Sequence, residues 1–139
     1  MIRNTLISAL IAAAFIPATA MAAELAVEVD GIETAGGTLH VAIFDEDGWS
    51  DNEAVDGRVV DASTGTVRVV FDGLAPGRYG VKLYHDADGN GELNRGLMGI
   101  PSEPYGFSNN ASAQFGPPKF GAAAFDLAEP GTVQTIGLH

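Results

Sequence analysis

The chain contains no cysteine, and its seven lysines and arginines are set against eighteen aspartates and glutamates. Without cysteine there are no disulfides, no thiol catalysis, no thiolate metal sites and no lipid attached through an N-terminal cysteine. The shortage of basic residues gives a formal charge of −11. Such a surface repels nucleic acid and anionic membranes and concentrates cations, so binding to DNA or RNA is disfavoured. Also missing are an apolar run of the roughly 20 residues that span a bilayer, a helical repeat outside the N-terminus, and any Gly-x-Ser-x-Gly or His-Glu-x-x-His motif. There is one tryptophan and no internal repeat or linker.

What is present begins with a short basic start at Arg3, an apolar run from Leu6 to Ile16, and the small residues Ala18-Thr-Ala-Met-Ala22. That is the pattern of a secretory signal peptide cleaved after Ala22. It predicts a signal over residues 1–22 and one domain over 23–139, in the periplasm or secreted, with no membrane span after cleavage. Eighteen acidic and six basic residues lie beyond Ala22, so the mature part has a formal charge near −12.

Leu25, Val27 and Val29 alternate with Ala26, Glu28 and Asp30, the period of two expected of a strand with one wet face. Leu39, Val41 and Ile43 repeat it after the turn at Ala35-Gly-Gly37, which predicts a first antiparallel pair. Arg58–Asp61 and Thr66–Phe71 flank a Ser-Thr-Gly turn and predict a second hairpin. Tyr79, Val81, Leu83 and His85 share the buried face of the next strand. The run Leu74-x-Pro-Gly-x-Tyr79 resembles the tyrosine corner of Greek-key sandwiches. Residues 122–127 and 132–138 supply two closing strands. The expected fold is all-β: a single antiparallel Greek-key β-sandwich of about seven strands with one long ordered loop.

The strand through His85 runs into Asp86-Ala-Asp-Gly-Asn-Gly-Glu-Leu-Asn94. Counted from Asp86, oxygen-bearing side chains stand at positions 1, 3 and 5 (Asp86, Asp88, Asn90), glycine at 6, Glu92 at 7 and Asn94 at 9. The first nine positions of EF-hand calcium loops have this pattern, with position 7 offering its carbonyl and glycine allowing the sharp bend. Position 12 should be a bidentate carboxylate and is Leu97; the Glu92 side chain, or Glu103 folding back, could replace it. Asp86, Asp88, Asn90, Glu92 and Asn94 are therefore the candidate ligands of Ca2+. The alternative is a metal-free turn, because Asp and Asn tolerate left-handed geometry. Zinc would want nitrogen or sulfur donors, and His85 alone is adjacent. His85 is expected to be partly buried and bonded to loop backbone, and His40, on the opposite parity to Val41, to be exposed.

From Asn94 to Gly121 the chain is rich in glycine and proline, lacks periodicity, and has the aromatics Tyr105, Phe107, Phe115 and Phe120. Long connections of this kind are usually functional or disordered, and four aromatics favour burial. They are expected to pin the loop over one end of the sandwich while Asn109 and Asn110 bond to backbone. The other reading makes Tyr105, Phe107, Asn109 and Asn110 a cleft for a polar ligand.

The pieces Tyr84-His-Asp-Ala-Asp-Gly-Asn-Gly-Glu-Leu-Asn94, Leu97-Met-Gly-Ile-Pro101, Tyr105-Gly-Phe-Ser-Asn-Asn-Ala111 and Phe115-Gly-Pro-Pro-Lys-Phe120 resemble a bacterial family of exported proteins, domain of unknown function 2141. The resemblance covers essentially the whole mature chain. It implies one sandwich domain of transthyretin-like or carboxypeptidase-regulatory type and brings no activity, cofactor or catalytic residue.

Three functions compete. The first is a non-enzymatic exported module that binds Ca2+ through the Asp86–Asn94 loop. The second is a metal-assisted hydrolase in which Asp86, Asp88 and Glu92 hold the ion and His85 moves protons; the chain ends Gly-Leu-His139, without the Tyr-Arg-Gly-Ser ending of transthyretin-like hydrolases. The third is a structural domain with a metal-free loop that meets a small ligand or another exported protein. For that role the acidic loop Asp45–Glu53 is a candidate contact, expected at the opposite end of the sandwich from Asp86.

Overall fold

The computed structural model describes Ala14 and residues 22–95 and 101–139. The expected signal peptide, apart from Ala14 and Ala22, and Leu97 lie outside the described residues. Among the described residues eight strands form: β1 (Ala23–Ile32), β2 (Thr38–Phe44), β3 (Asp56–Asp61), β4 (Gly65–Leu74), β5 (Gly77–Asp86), β6 (Tyr105–Phe107), β7 (Phe125–Leu127) and β8 (Gly131–Gly137). They make two sheets, one ordered β4-β1-β8, the other β3-β2-β5-β6 with β7 also paired to β5. The architecture is all-β, and the described residues also include the short helices α1 (Glu46–Asp51) and α2 (Phe120–Ala123) and a 3-10 turn at Ser108–Asn110.

The alternating apolar residues behave as their period requires. Leu25, Val27 and Val29 of β1, Phe71 of β4 and Ile136 of β8 meet Leu39, Val41 and Ile43 of β2 and Val81 of β5 in one buried core. Each such side chain, fully removed from water, contributes about 1.5–3 kcal/mol.

Two expected hairpins do not form. β1 and β2 belong to different sheets, and so do β3 and β4. The alternation of apolar residues says which face is buried and leaves open which strand is the neighbour. Residues 33–37 and 62–64 are arches from one sheet to the other, and they brace each other. The Gly36 N–H donates to the Ala62 carbonyl at 3.1 Å, and the Ala62 N–H donates to the Gly37 carbonyl at 3.2 Å. Gly37 has φ +67°, and a Cβ on it would stand 2.1 Å from the Asp86 carbonyl oxygen, so this arch can pack onto the end of β5 only as glycine. β7 and β8 also lie in different sheets.

One pairing is parallel, β1 with β8, in register Ala26↔Val133. An all-antiparallel arrangement is therefore corrected: β1 and β8 are separated in sequence by the six other strands, so no hairpin joins them and a parallel pairing is open to them. Tyr79 does tie down the β4–β5 crossing, its hydroxyl donating to the Ala75 carbonyl at 2.7 Å.

The acidic loop contains α1, which the sequence does not announce because six residues are too few to show a helical period. Its N-cap is Asp45, whose side chain accepts from the Gly48 N–H at 2.8 Å. In the β2–β5 register Thr38 faces Asp86 and Phe44 faces Gly80, so α1 and the Asp86 loop occupy opposite ends, as expected.

Trp49 of α1 starts a second core with Phe44, Phe107, Phe120 and Ala123. Three of the four loop aromatics thus pack, Tyr105 by contacting Phe107 at 5.9 Å between ring centroids. Phe115 does not: it stands fully exposed, and the expectation that it packs is corrected.

Candidate functional site

β5 ends at Asp86, and alternation along the strand sends the His85 and Asp86 side chains to opposite faces. Asp86 is a carboxylate only 1% exposed. Its Oδ1 accepts from the Asn90 N–H at 3.2 Å and its Oδ2 from the Gly91 N–H at 2.7 Å. Gly91 at φ +79° makes the bend that turns this N–H inward. His40 of β2, directly opposite Tyr84, brings Nε2 to 3.4 Å from Asp86 Oδ2 and stacks on the Tyr84 ring at 4.6 Å.

The loop then curls over Asp86. Asp88 Oδ1 accepts from the Asn90 N–H at 3.1 Å, and Asn90 Oδ1 accepts from the Glu92 N–H at 2.9 Å. Asn94 donates through its side-chain amide to Asp88 Oδ2 and, at 3.4 Å, to Glu103 Oε1, while its backbone N–H donates to Glu103 Oε2 at 3.0 Å. The Tyr84 hydroxyl closes the far side by donating to the Gly91 carbonyl at 3.0 Å. Glu103 is buried although it comes from the segment preceding β6. Its partner Asn94 is also tied to the residue before it, the Ser102 N–H donating to the Asn94 carbonyl at 2.8 Å.

Asp86, Asp88 and Glu103 each present a carboxylate oxygen within 4.8 Å of the others. Of the five expected ligands, Asp86, Asp88 and Asn94 meet at this focus. Asn90 supports it through its backbone N–H, and Glu92 is exposed with its N–H spent on Asn90. Glu103, not Glu92, is the third carboxylate. His40 and Tyr84 are the members that sequence reasoning missed, since their nearness depends on the β2–β5 register. His40 is half-buried against Asp86, which corrects its expected exposure.

Burial pushes the Asp86 carboxyl up, but the Gly91 N–H, a hydrogen bond with the Asp88 carboxyl and the N–H groups of Asn90 and Gly89 outweigh it and hold the group below the ordinary 3.8. For Tyr84 every influence acts upward from 10.0: burial first, then the charges of Asp86, Glu103 and Glu92. A carboxyl depressed in the fold contributes stability that is present above its unfolded pKa and is lost as pH falls through the folded one. Thermal stability should therefore decline on acidification below about pH 4. Asp86→Asn should flatten that acid limb in melting curves taken at stepped pH; an unchanged limb would refute the assignment.

The donor chemistry fits a hard cation. Carboxylate and amide oxygens suit Ca2+, and three like charges at this spacing are better placed around a cation than alone. Without an ion, the amide of Asn94 supplies the hydrogens that Asp88 and Glu103 accept.

The residues expected to wall a cleft serve the chain itself. Phe107 is in the second core. The Asn109 side-chain amide donates to the carbonyls of Ala124 at 2.8 Å and Ala122 at 3.3 Å, and Asn110 Oδ1 accepts from the Gly137 N–H at 2.9 Å. These bonds lock the loop to β8 and α2. His85, the proton carrier of the hydrolase reading, donates from Nε2 to the Gly36 carbonyl at 2.7 Å, away from the carboxylates.

These features define an all-β, two-sheet domain with an oxygen-lined loop at the end of one central strand. The family of uncharacterized proteins conserved in bacteria, domain of unknown function 2141, matches residues 27–135, and the chain belongs to it. No curated protein and no solved structure matches the chain.

Proposed function

We propose that this protein is an exported, non-enzymatic binding module of Greek-key sandwich type, in which Asp86, Asp88 and Glu103 hold one Ca2+ with Asn94 beside them. One observation carries the reading: three carboxylates from two separated segments, two of them buried, converge within 4.8 Å. Bridging those segments, the ion braces the connection between β5 and β6. Affinity belongs in the range of extracellular modules, about 10⁻⁴ to 10⁻³ M, because so few carboxylates contribute. Calorimetric titration of chelator-treated protein with CaCl₂ tests it. One ion per chain is expected, with binding abolished in Asp88→Asn. Absence of heat at several millimolar Ca2+, or binding by Asp88→Asn equal to wild type, would end the proposal.

A further inference from the structure

Among the asparagines of the chain, Asn90 alone is followed by glycine. The pair stands exposed at the tip of the Asp86–Asn94 loop. A bond from the Gly91 nitrogen to Cγ of Asn90 closes a succinimide ring out of atoms already joined in sequence, so the two reacting atoms are held within reach by the chain itself. Gly91 has no side chain to crowd its nitrogen, and its φ of +79° lets the bend turn the N–H inward.

The hydrogen bonds of the loop are those that this ring closure uses. The Gly91 N–H donates to Asp86 Oδ2 at 2.7 Å, which sets a proton acceptor on the nucleophile. Asp86 is 1% exposed and also accepts from the Asn90 N–H, so that acceptor is fixed in place. On the electrophile, Asn90 Oδ1 accepts from the Glu92 N–H at 2.9 Å, which polarises the side-chain carbonyl and meets the charge that develops on its oxygen. The departing nitrogen, Nδ2, donates to Asn94 Oδ1.

We propose that Asn90-Gly91 is a self-modifying site, at which the loop converts Asn90 to aspartate or isoaspartate through a succinimide, with Asp86 as the general base. Asp86 Oδ2 takes the Gly91 proton as the nitrogen bonds to Cγ, and the carbonyl electron pair moves onto Oδ1. Collapse of that intermediate breaks the Cγ–Nδ2 bond, the proton passes from Asp86 to Nδ2, and ammonia leaves. Water then opens the ring at either carbonyl. The net exchange is ammonia for water, and it adds one negative charge to a loop in which Asp86, Asp88 and Glu103 already converge. Opening at the backbone carbonyl gives isoaspartate, which threads a further carbon into the main chain and shifts the Gly91 N–H away from Asp86. The loop is thereby a one-way clock that marks the age of the folded chain.

Freshly prepared, chelator-treated protein is held at neutral pH, sampled over days and cut with trypsin, and the peptide from Leu83 to Arg95 is sequenced by mass spectrometry. Conversion is expected at Asn90 and not at Asn94 of the same peptide, with isoaspartate among the products, and about tenfold or more slowly in Asp86→Asn. Should Asp86→Asn not fold, wild type held in guanidinium chloride, where Asp86 no longer meets Gly91, decides instead and should also convert about tenfold or more slowly than the folded protein. No conversion in the folded protein, conversion shared evenly with Asn94, or equal rates with and without the Asp86 contact would each overturn the proposal. The reaction uses no cation, so none of these outcomes bears on Ca2+ binding.

Discussion

Replacing Trp49 by alanine should lower the free energy of unfolding by about 3–5 kcal/mol, the usual cost of emptying a buried aromatic site. Trp49 is 4% exposed and lies within 5.8 Å of Phe44 and of Phe120 and 6.3 Å of Phe107, measured between ring centroids. Its indole N–H donates to the Pro118 carbonyl at 2.9 Å, so the ring ties α1 to the loop leading into α2. Below it Gly80 leaves room that no other residue could: a Cβ there would come within 2.6 Å of the ring. The site cannot collapse easily, because Phe44 and Phe107 stand on strands of one sheet whose spacing is set by the ladder.

Lys82 adds to the same node. Its ammonium lies 4.5 Å from the Trp49 and Phe44 ring centroids and donates to the Trp49 carbonyl at 2.7 Å. Burial pushes its pKa down from 10.5. Trp49→Phe keeps much of the packing and forfeits chiefly the bond to Pro118, a loss of about 1 kcal/mol before the difference in ring size. Urea unfolding followed by circular dichroism, which does not need the tryptophan as a probe, measures both. A loss of less than about 1 kcal/mol for Trp49→Ala would mean that the second core is not a packed unit.

Leu25, Val27, Val29, Leu39, Val41 and Ile43 were legible as strand residues because burial of one face imposes a period of two. Their partners were not, since a connection of three to five residues can close a hairpin or cross to the other sheet. Both connections cross, as the sheet membership of the four strands shows, and the bonds among Gly36, Gly37 and Ala62 brace the two arches together. The Asp86–Asn94 loop was legible from spacing alone, because glycine and alternating oxygens leave a local signature. Glu103 was foreseeable as a candidate and no more, for its approach depends on Pro101 standing beside Arg95, with which it forms an antiparallel bridge. Nothing in the sequence near His40 points at Asp86; the contact exists through strand pairing. Asn109 and Asn110 were foreseeable as bonding to backbone, and which carbonyls and N–H they meet depends on where α2 and β8 fall in the fold.

Calcium at a hundred times its dissociation constant should raise the unfolding free energy by about 2.7 kcal/mol, since an ion held only by the folded chain stabilises it by RT ln(1 + [L]/Kd). The Asp86 trio exists only when β5 and the segment before β6 are both in place, so the unfolded chain offers no comparable site. The rise should vanish in Asp88→Asn and in Glu103→Gln, each of which removes one carboxylate from the focus. Tyr84 supplies a readout independent of stability. Its phenol is held above 10.0 in part by Asp86, Glu103 and Glu92, and a dication among those carboxylates cancels their field. Calcium should therefore move one tyrosine titration, followed by phenolate absorbance, back toward its ordinary value, and Tyr84→Phe should remove that transition. A melting temperature raised equally by Ca2+ in wild type and Asp88→Asn, with the Tyr84 titration unmoved, would place the ion elsewhere on this acidic surface, because only a cation among Asp86, Asp88 and Glu103 can act on both observables at once.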